Sequence, residues 1–259
     1  MNILVIGDSC KDVFIYGDIE RISPEAPIPV FKPTSEESNG GMAKNVADNV
    51  EALDMHIHTV TNKNSITKIR FVENRSSQMV LRVDEHDYCD RIDESLLEGL
   101  VKNKFKKPPF GFDSQGEDHY DAIIISDYCK GFLTELDIEL LCKSNKNVFV
   151  DTKKQLGSWI QNAMFIKINS AEYKKNYEYF KTNDFVDKLI VTLGGEGCLY
   201  NGKKYPVKEV PVKDVSGAGD TFLAGLVCGY LDSDNIYTAI DFAQKCTTIV
   251  VQKHGVSTV

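Results

Sequence analysis

The chain has 259 residues, enough to bury the core of one α/β domain, and its 42% hydrophobic and 26% charged content marks a folded globular protein. A net charge of −8 argues against broad binding of nucleic acid or anionic membrane, and no apolar run approaches the length of a membrane span; a local basic pocket for phosphates is compatible with both. The seven cysteines form no C-x-x-C pair, so reduced thiols and a cytoplasmic location are expected instead of a disulfide framework. In chain order, residues 3–6 are a continuous apolar run, the mark of a parallel strand covered on both faces. The start lacks the basic stretch and the apolar length of a signal peptide. Gly7-Asp8 and Lys11-Asp12 read as the turn after that strand. Residues 28–31 alternate weakly among Pro24, Pro27 and Pro29, which confines them to an edge or to a flap outside the main sheet. Residues 43–53 are helical, with apolar side chains at 43, 46, 47, 50 and 53.

Residues 69–72 and 79–83 read as paired strands, 95–105 as a helix, and 106–120 as a polar loop. Residues 122–126 are another buried strand. The helix over 133–144 opens on Thr134, with Asp137 three residues later as a capping partner. Short buried strands follow at 148–150, 165–168 and 189–192, with a helix over 171–180 between the last two. Residues 205–210 resemble a further strand, and helices close the chain near 217–231 and 235–252. Strands alternating with helices predict an α/β fold, a mainly parallel sheet with helices on both faces. Ligands bind such sheets beyond the carboxyl ends of the strands, and Asp8, Asp127, Asp151, Asn169 and Gly194 all fall just after apolar strands. One domain over 1–259 is expected, with lid segments at about 19–33 and 66–84 as a small β flap over that rim.

The stretch Asp214-Val215-Ser216-Gly217-Ala218-Gly219-Asp220-Thr221 carries the chemistry. Three small residues before a helix leave backbone N–H groups open to an anion, and the helix dipole adds positive potential. Asp220 beside that hole is suited to take a proton from a hydroxyl while a phosphoryl group is held by the N–H groups. Taken alone, the same residues also read as a glycine-rich turn with a capping aspartate. Other signals are weaker. Gly197-x4-Gly202-Lys203-Lys204 resembles a phosphate loop but lacks the final Ser or Thr and the following helix. No G-x-G-x-x-G opens a helix and no G-x-S-x-G is present, which disfavours dinucleotide enzymes and α/β-hydrolases. His56 and His58 read as one face of a strand, with no Cys or further His beside them to complete a metal site.

Four separated segments, in order, resemble the PfkB (ribokinase-like) family of carbohydrate kinases. Gly40-Gly41-Met42-Ala43-Lys44-Asn45 resembles its G-G-x-x-x-N motif, and Asn169-Ser170-Ala171-Glu172 its N-x-x-E. Val191-Thr192-Leu193-Gly194-Gly195-Glu196-Gly197 resembles its nucleotide-binding strand and turn, and residues 214–220 its D-T-x-G-A-G-D signature. Within the family, Arg21-Ile22-Ser23-Pro24-Glu25-Ala26-Pro27-Ile28-Pro29-Val30 is similar to the D-glycero-D-manno-heptose 7-phosphate kinases. So are Leu81-Arg82-Val83-Asp84, Ser126-Asp127-Tyr128-Cys129-Lys130-Gly131 and the ending Lys253 to Val259. In bacteria such kinases often precede a nucleotidyltransferase domain, which is not expected in a sequence ending at Val259. Val215 and Ser216 replace the usual threonines, and after Val60 the family's G-x-D-x-x-G helix is missing.

The resemblance implies a ribokinase-like three-layer α/β/α fold and ATP-dependent, Mg²⁺-assisted phosphorylation of a sugar phosphate. Heptose 7-phosphate going to the 1,7-bisphosphate, on the ADP-heptose and lipopolysaccharide-precursor route, is the first expectation; a kinase of another sugar, or a catalytically silent sugar-phosphate-binding protein, is the alternative. Asp220 would be the general base and the N–H groups of Gly217, Ala218 and Gly219 the anion hole. Asp8, Asp12 and Asn45 would bind sugar hydroxyls, with Gly40 and Gly41 admitting the sugar to the backbone. Asp127 and Lys130 would contact hydroxyl or phosphate. Arg70 and Arg82 would meet the substrate's own phosphate or form salt bridges within the flap. Asn169 and Glu172 would hold Mg²⁺ largely through water, and Thr192, Gly194 and Gly197 would border the nucleotide. An exposed strand edge near residues 28–31, together with the resemblance, implies a homodimer that pairs flaps.

Overall fold

The computed structural model describes residues 1–102, 120–182, 185–253 and 255–259. The expected loop over 106–120 and the end of the helix expected over 95–105 fall largely outside the described residues, as does His254. Six parallel strands form the centre of an eight-stranded sheet: β1 (Asn2–Gly7), β4 (His56–Thr61), β7 (Ala122–Asp127), β8 (Val148–Thr152), β9 (Phe165–Asn169) and β10 (Leu189–Thr192). The order is β12-β11-β10-β9-β8-β7-β1-β4, with β11 (Cys198–Tyr200) and β12 (Lys203–Tyr205) added antiparallel at one edge. The strand expected over 205–210 is not formed: β12 covers Lys203–Tyr205, and residues 206–210 lie outside any strand. Asn201 and Gly202, both at positive φ, make the tight turn between β11 and β12. That turn accounts for the false phosphate-loop signal: Gly202-Lys203 is a hairpin.

Alternation along the strands divides the core in two. Ile3 and Val5 face α1 (Ala43–Ala52), α6 (Ala218–Ser233) and α7 (Ile236–Val250), through Val46, Leu223, Leu226 and Ile240. Leu4 and Ile6 face α2 (Glu94–Val101) and α3 (Glu135–Ser144), through Leu97, Leu100, Ile138 and Leu141. The result is three layers. Thr134 and Asp137 cap α3 reciprocally. The helix expected over 171–180 is broken at Asn176 into α4 (Ser170–Lys175) and α5 (Tyr177–Thr182), where the Asn176 side chain bonds Leu156 N–H and Glu172 C=O instead of continuing one helix.

A second sheet stands over the rim, in order β3-β2-β5-β6. It comprises β2 (Ser9–Ile22), β3 (Pro29–Met42), β5 (Ile66–Glu73) and β6 (Met79–Glu85). It is wider than the expected lid segments 19–33 and 66–84, because the turn anticipated at Asp8–Asp12 is the start of a 14-residue strand. Where the resemblance misses a helix after Val60, Asn62 closes the short link from β4 to β5. Its Oδ1 accepts from Ser9 N–H at 2.6 Å, and its Nδ2 donates to the carbonyls of Ser9 and Asn64.

Candidate active site

Helix α6 opens at Gly217, which lies in the left-handed region at φ +76. A Cβ there would stand 2.6 Å from Asn45 Nδ2. Among the described residues, no hydrogen bond takes the N–H groups of Gly217 and Gly219, whereas that of Ala218 reaches the Val215 carbonyl at 3.2 Å. Two of the three expected donors are thus open to an anion. Beneath them Lys167 Nζ stands 3.0 Å from the position a Cβ on Gly219 would occupy, and it pairs with Asp151 at 2.6 Å. Both members are buried, and they are adjacent in the β8–β9 register. A helix terminus and a buried ammonium therefore converge on one spot.

Asp220 sits one residue further along α6, only 4% exposed. Its Oδ2 accepts from Asn45 Nδ2 at 2.9 Å and its Oδ1 from the Tyr128 hydroxyl at 2.7 Å. Burial raises its pKa above the ordinary carboxylate value; the bonds from Asn45 and Tyr128 and the charge on Lys167 pull the other way. Asn45 is oriented in turn. Asn49 Nδ2 donates to Asn45 Oδ1 at 3.2 Å, and Thr221 Oγ1 donates to Asn49 Oδ1 at 3.2 Å. The ring of bonds from α1 to α6 fixes which end of the Asn45 amide faces the carboxylate. Asn45 is thus a buried partner of the Asp220 carboxylate, where contact with a sugar hydroxyl was expected.

Two further expectations change. Asp8 is fully buried. Its carboxylate accepts the N–H groups of Tyr128 (2.6 Å), Lys130 (3.3 Å) and Phe132 (3.2 Å), so it holds the loop after β7 and does not face the open rim. Asp127 is also buried, with its oxygens taken by Thr152 Oγ1 at 2.5 Å and Lys154 Nζ at 2.8 and 2.9 Å. Both sequence positions after apolar strands were sound; the roles differ, because each carboxylate is consumed by local donors.

The inner face of the second sheet carries the charged groups expected there, and the register aligns them. Asp12 on β2 lies beside Lys68 on β5, Lys68 opposite Asp84 on β6, and Arg70 opposite Arg82. Arg70 pairs with Asp12, Arg82 forks onto Asp84 with two 2.6 Å bonds, and Lys130 pairs with Asp87. Lys68 is 6% exposed and forms no salt bridge among the described residues. Burial lowers its pKa. Gly41 is where β3 passes closest to this group: a Cβ there would meet Cys10 Sγ at 2.6 Å and Asp12 Oδ2 at 3.3 Å. At Gly40 the neighbour is the Lys44 side chain. Arg70 and Ser216 also border a cavity of about 390 Å³ between this sheet and the loop leading into α6.

Thr192, Gly194 and Gly197 come together with Ala218, Gly219 and Gln244 around a second cavity of about 130 Å³, on the other side of the anion hole. Asn169 and Glu172 cap α4 reciprocally: Asn169 Oδ1 accepts from Ala171 and Glu172 N–H at 2.9 Å, and Glu172 Oε2 accepts from Asn169 N–H at 2.8 Å. Glu172 Oε1 meets Lys153. Among the described residues, no three His, Cys, Asp or Glu side chains gather as a metal cage. A lone carboxylate beside a phosphate site fits a hydrated Mg²⁺, which keeps its waters and binds through phosphates. Sequence reasoning missed Tyr128, Lys153, Lys167 and Lys68 as members of this site.

Residues 169–259 match the model of the pfkB family carbohydrate kinases. The match covers the last third of the chain, from Asn169 onward. The bifunctional protein HldE of Helicobacter pylori strain J99 is 28% identical over 294 residues, covering 98% of this chain and 63% of that protein. The chain thus spans less than two thirds of the length of this relative. Among solved structures, the microbiome-derived acarbose kinase Mak1 is similar with a TM-score of 0.72 at 14% identity, covering 100% of this chain and 95% of that one. The Arabidopsis thaliana ribokinase complexed with ribose and ATP gives 0.65 at 12% identity, covering 98% and 93%. The fold is the ribokinase-like α/β fold.

The hinge of the anion hole makes a first expected outcome. Gly217→Ala should cost about 1–3 kcal/mol, from both the left-handed backbone and the push on Asn45. Gly194→Ala, also at positive φ (+61) but with nothing within 4 Å, should cost less. Thermal denaturation of the two variants compares them.

Proposed function

We propose that this chain is a PfkB-type carbohydrate kinase that transfers the γ-phosphoryl group of ATP to a hydroxyl of a sugar phosphate, D-glycero-D-manno-heptose 7-phosphate going to the 1,7-bisphosphate being the first candidate. The observation that carries the phosphorylated acceptor is Lys68, a buried lysine on the second sheet that forms no salt bridge among the described residues. Its neighbours Arg70, Arg82 and Lys130 are each matched by a carboxylate, so Lys68 supplies the unmatched positive charge. The heptose preference rests on the run from Arg21 to Val30, which joins β2 to β3 and is similar to heptose 7-phosphate kinases.

Asp220 takes the proton of the attacking hydroxyl. The N–H groups of Gly217 and Gly219, with Lys167 beneath, hold the transferring group. Asp12 stays paired with Arg70 and accepts from sugar hydroxyls at the mouth. Thr192, Gly194 and Gly197 border the nucleotide. Glu172 and Asn169 would hold a hydrated Mg²⁺, which would supply charge neutralisation on the phosphates. The free thiols fit a cytoplasmic location, and no helix among the described residues is long and apolar enough to cross a membrane. Exposed Met79 and Leu81 on the outer strand β6, with Ile22 and Ile28 at the other end of the sheet, favour a homodimer through this sheet; sedimentation of Leu81→Glu against the parent tests it.

The deciding assay is ATP-to-ADP turnover with Mg²⁺ across heptose 7-phosphate, fructose 6-phosphate, fructose 1-phosphate, ribose and adenosine. Turnover on heptose 7-phosphate alone is expected. Turnover on another sugar keeps the chemistry and discards the heptose reading, and sugar-phosphate binding without turnover favours a silent binder. Lys68→Met should raise KM roughly ten-fold or more for phosphorylated acceptors and leave unphosphorylated ones nearly unchanged. Equal effects on both would remove the phosphate from Lys68.

A further inference from the structure

Tyr128 stands where three parts of the site meet. It follows β7, and its hydroxyl donates to Asp220 Oδ1 at 2.7 Å. Its ring lies 5.5 Å from Lys68 Nζ, on the second sheet, and 5.0 Å from Lys153 Nζ, which pairs with Glu172 at the rim of β8 and β9. Its own N–H is held by Asp8 at 2.6 Å. Few side chains are fixed at the backbone, the ring and the hydroxyl at once.

We propose that Tyr128 is a positioning residue for Asp220, holding the carboxylate in one rotation and keeping it ionised, with its own ring set by a lysine from each side of the site. The proposal rests on the reading of Asp220 as the base. With Asn45 on one oxygen and Tyr128 on the other, the carboxylate cannot turn about its Cβ–Cγ bond without losing a bond. A phenol in this place acts as a donor throughout the working range, because burial and then the negative charge of Asp220 and Asp151 raise its pKa well above the usual value. The ammonium groups of Lys68 and Lys153 attract the ring face and orient it. The remaining groups felt by Asp220 are Lys167 on β9, Asp151 on β8, and Lys153, with Cys10 on β2 and the neutral Asn45 on α1. Of these, Lys167 is paired with Asp151 and Lys153 with Glu172, and Tyr128 and Asn45 are the two side chains hydrogen-bonded to the Asp220 carboxylate among the described residues.

Tyr128→Phe keeps the ring and both lysine contacts and removes only the hydroxyl. The test follows the Asp220 side-chain carboxyl by carbon-13 NMR against pH, with Asp220→Asn identifying the resonance, in the parent and in Tyr128→Phe without substrate. The midpoint is expected to move to higher pH, because the lost bond favoured the ionised form. The kcat of Tyr128→Phe is expected to fall on the order of ten-fold, with KM for ATP little changed. The acidic limb of its kcat profile should move upward with the midpoint. An unmoved midpoint overturns the proposal, and so does a moved midpoint with parental kcat. The carboxyl titration needs no substrate. A parent protein that turns over no acceptor would therefore sink the kinase reading, and the midpoint would still decide whether Tyr128 controls Asp220. Tyr128→Leu, which also removes the ring, should show the same midpoint shift plus a loss of thermal stability; stability loss without the shift would mark a merely structural residue.

Discussion

Replacing Asp220 by asparagine should lower kcat for phosphoryl transfer by roughly 10²–10⁴, the range for a positioned general base. The same change should leave the fold at least as stable at neutral pH. The sign follows from burial: the folded-state pKa of Asp220 lies above its unfolded value, so the native protein keeps a proton that the unfolded chain has released. Stability from this group therefore falls as pH rises through that interval, and an uncharged amide removes the loss. The amide also fits its neighbours, because its oxygen accepts from Asn45 and its nitrogen donates to the Tyr128 oxygen. Activity has the opposite dependence. Turnover of the parent should rise with pH as Asp220 ionises, and Asp220→Asn should lack that limb. Rate measurements across pH, beside thermal unfolding of both proteins, read the two effects separately. Parental turnover in Asp220→Asn would remove it from the chemistry. A large loss of stability would make the rate change uninformative about proton transfer and contradict the electrostatic account.

Strands such as β1 and β7 were legible because they are short apolar runs covered on both faces, and Asp220 stood out because three small residues and a carboxylate lie in one contiguous segment at a helix start. The second sheet was only partly so. On β2 the side chains facing the site are Cys10, Asp12, Phe14 and Tyr16, so a functional carboxylate interrupts the period-two pattern that signals a strand. Its partner β3 is an exposed edge containing Pro33, Gly40 and Gly41, which reads as loop. The missed members of the site come together through register and crossover. Tyr128 and Asp220 are 92 positions apart, and nothing local pairs them. One signal was readable. Lys167 lies between Ile166 and Ile168 in an otherwise apolar run, and Asp151 follows Val150 on the next strand. A charge in a doubly covered strand requires a partner, and adjacent strands supply it.

That pair carries the second large effect. Lys167→Met should destabilise the protein by about 3–5 kcal/mol, because it leaves the Asp151 carboxylate buried and uncompensated. The position is unforgiving, since Asp151 Oδ1 has no hydrogen-bond partner among the described residues even with the lysine present. The double change Asp151→Leu with Lys167→Met replaces both charges by apolar groups and should recover most of that stability. Turnover should not recover. The Lys167 ammonium lies against Gly219 at the floor of the anion hole, and preorganised positive charge at a transferring phosphoryl group is worth roughly 10²–10³ in kcat when one donor is lost. Chemical denaturation of the parent, the single and the double variant measures the first term, and kcat with saturating nucleotide the second. Stability and turnover returning together would make the pair a structural tie alone. Stability returning without turnover separates the two jobs of one lysine, closing the sheet between β8 and β9 and charging the site above it.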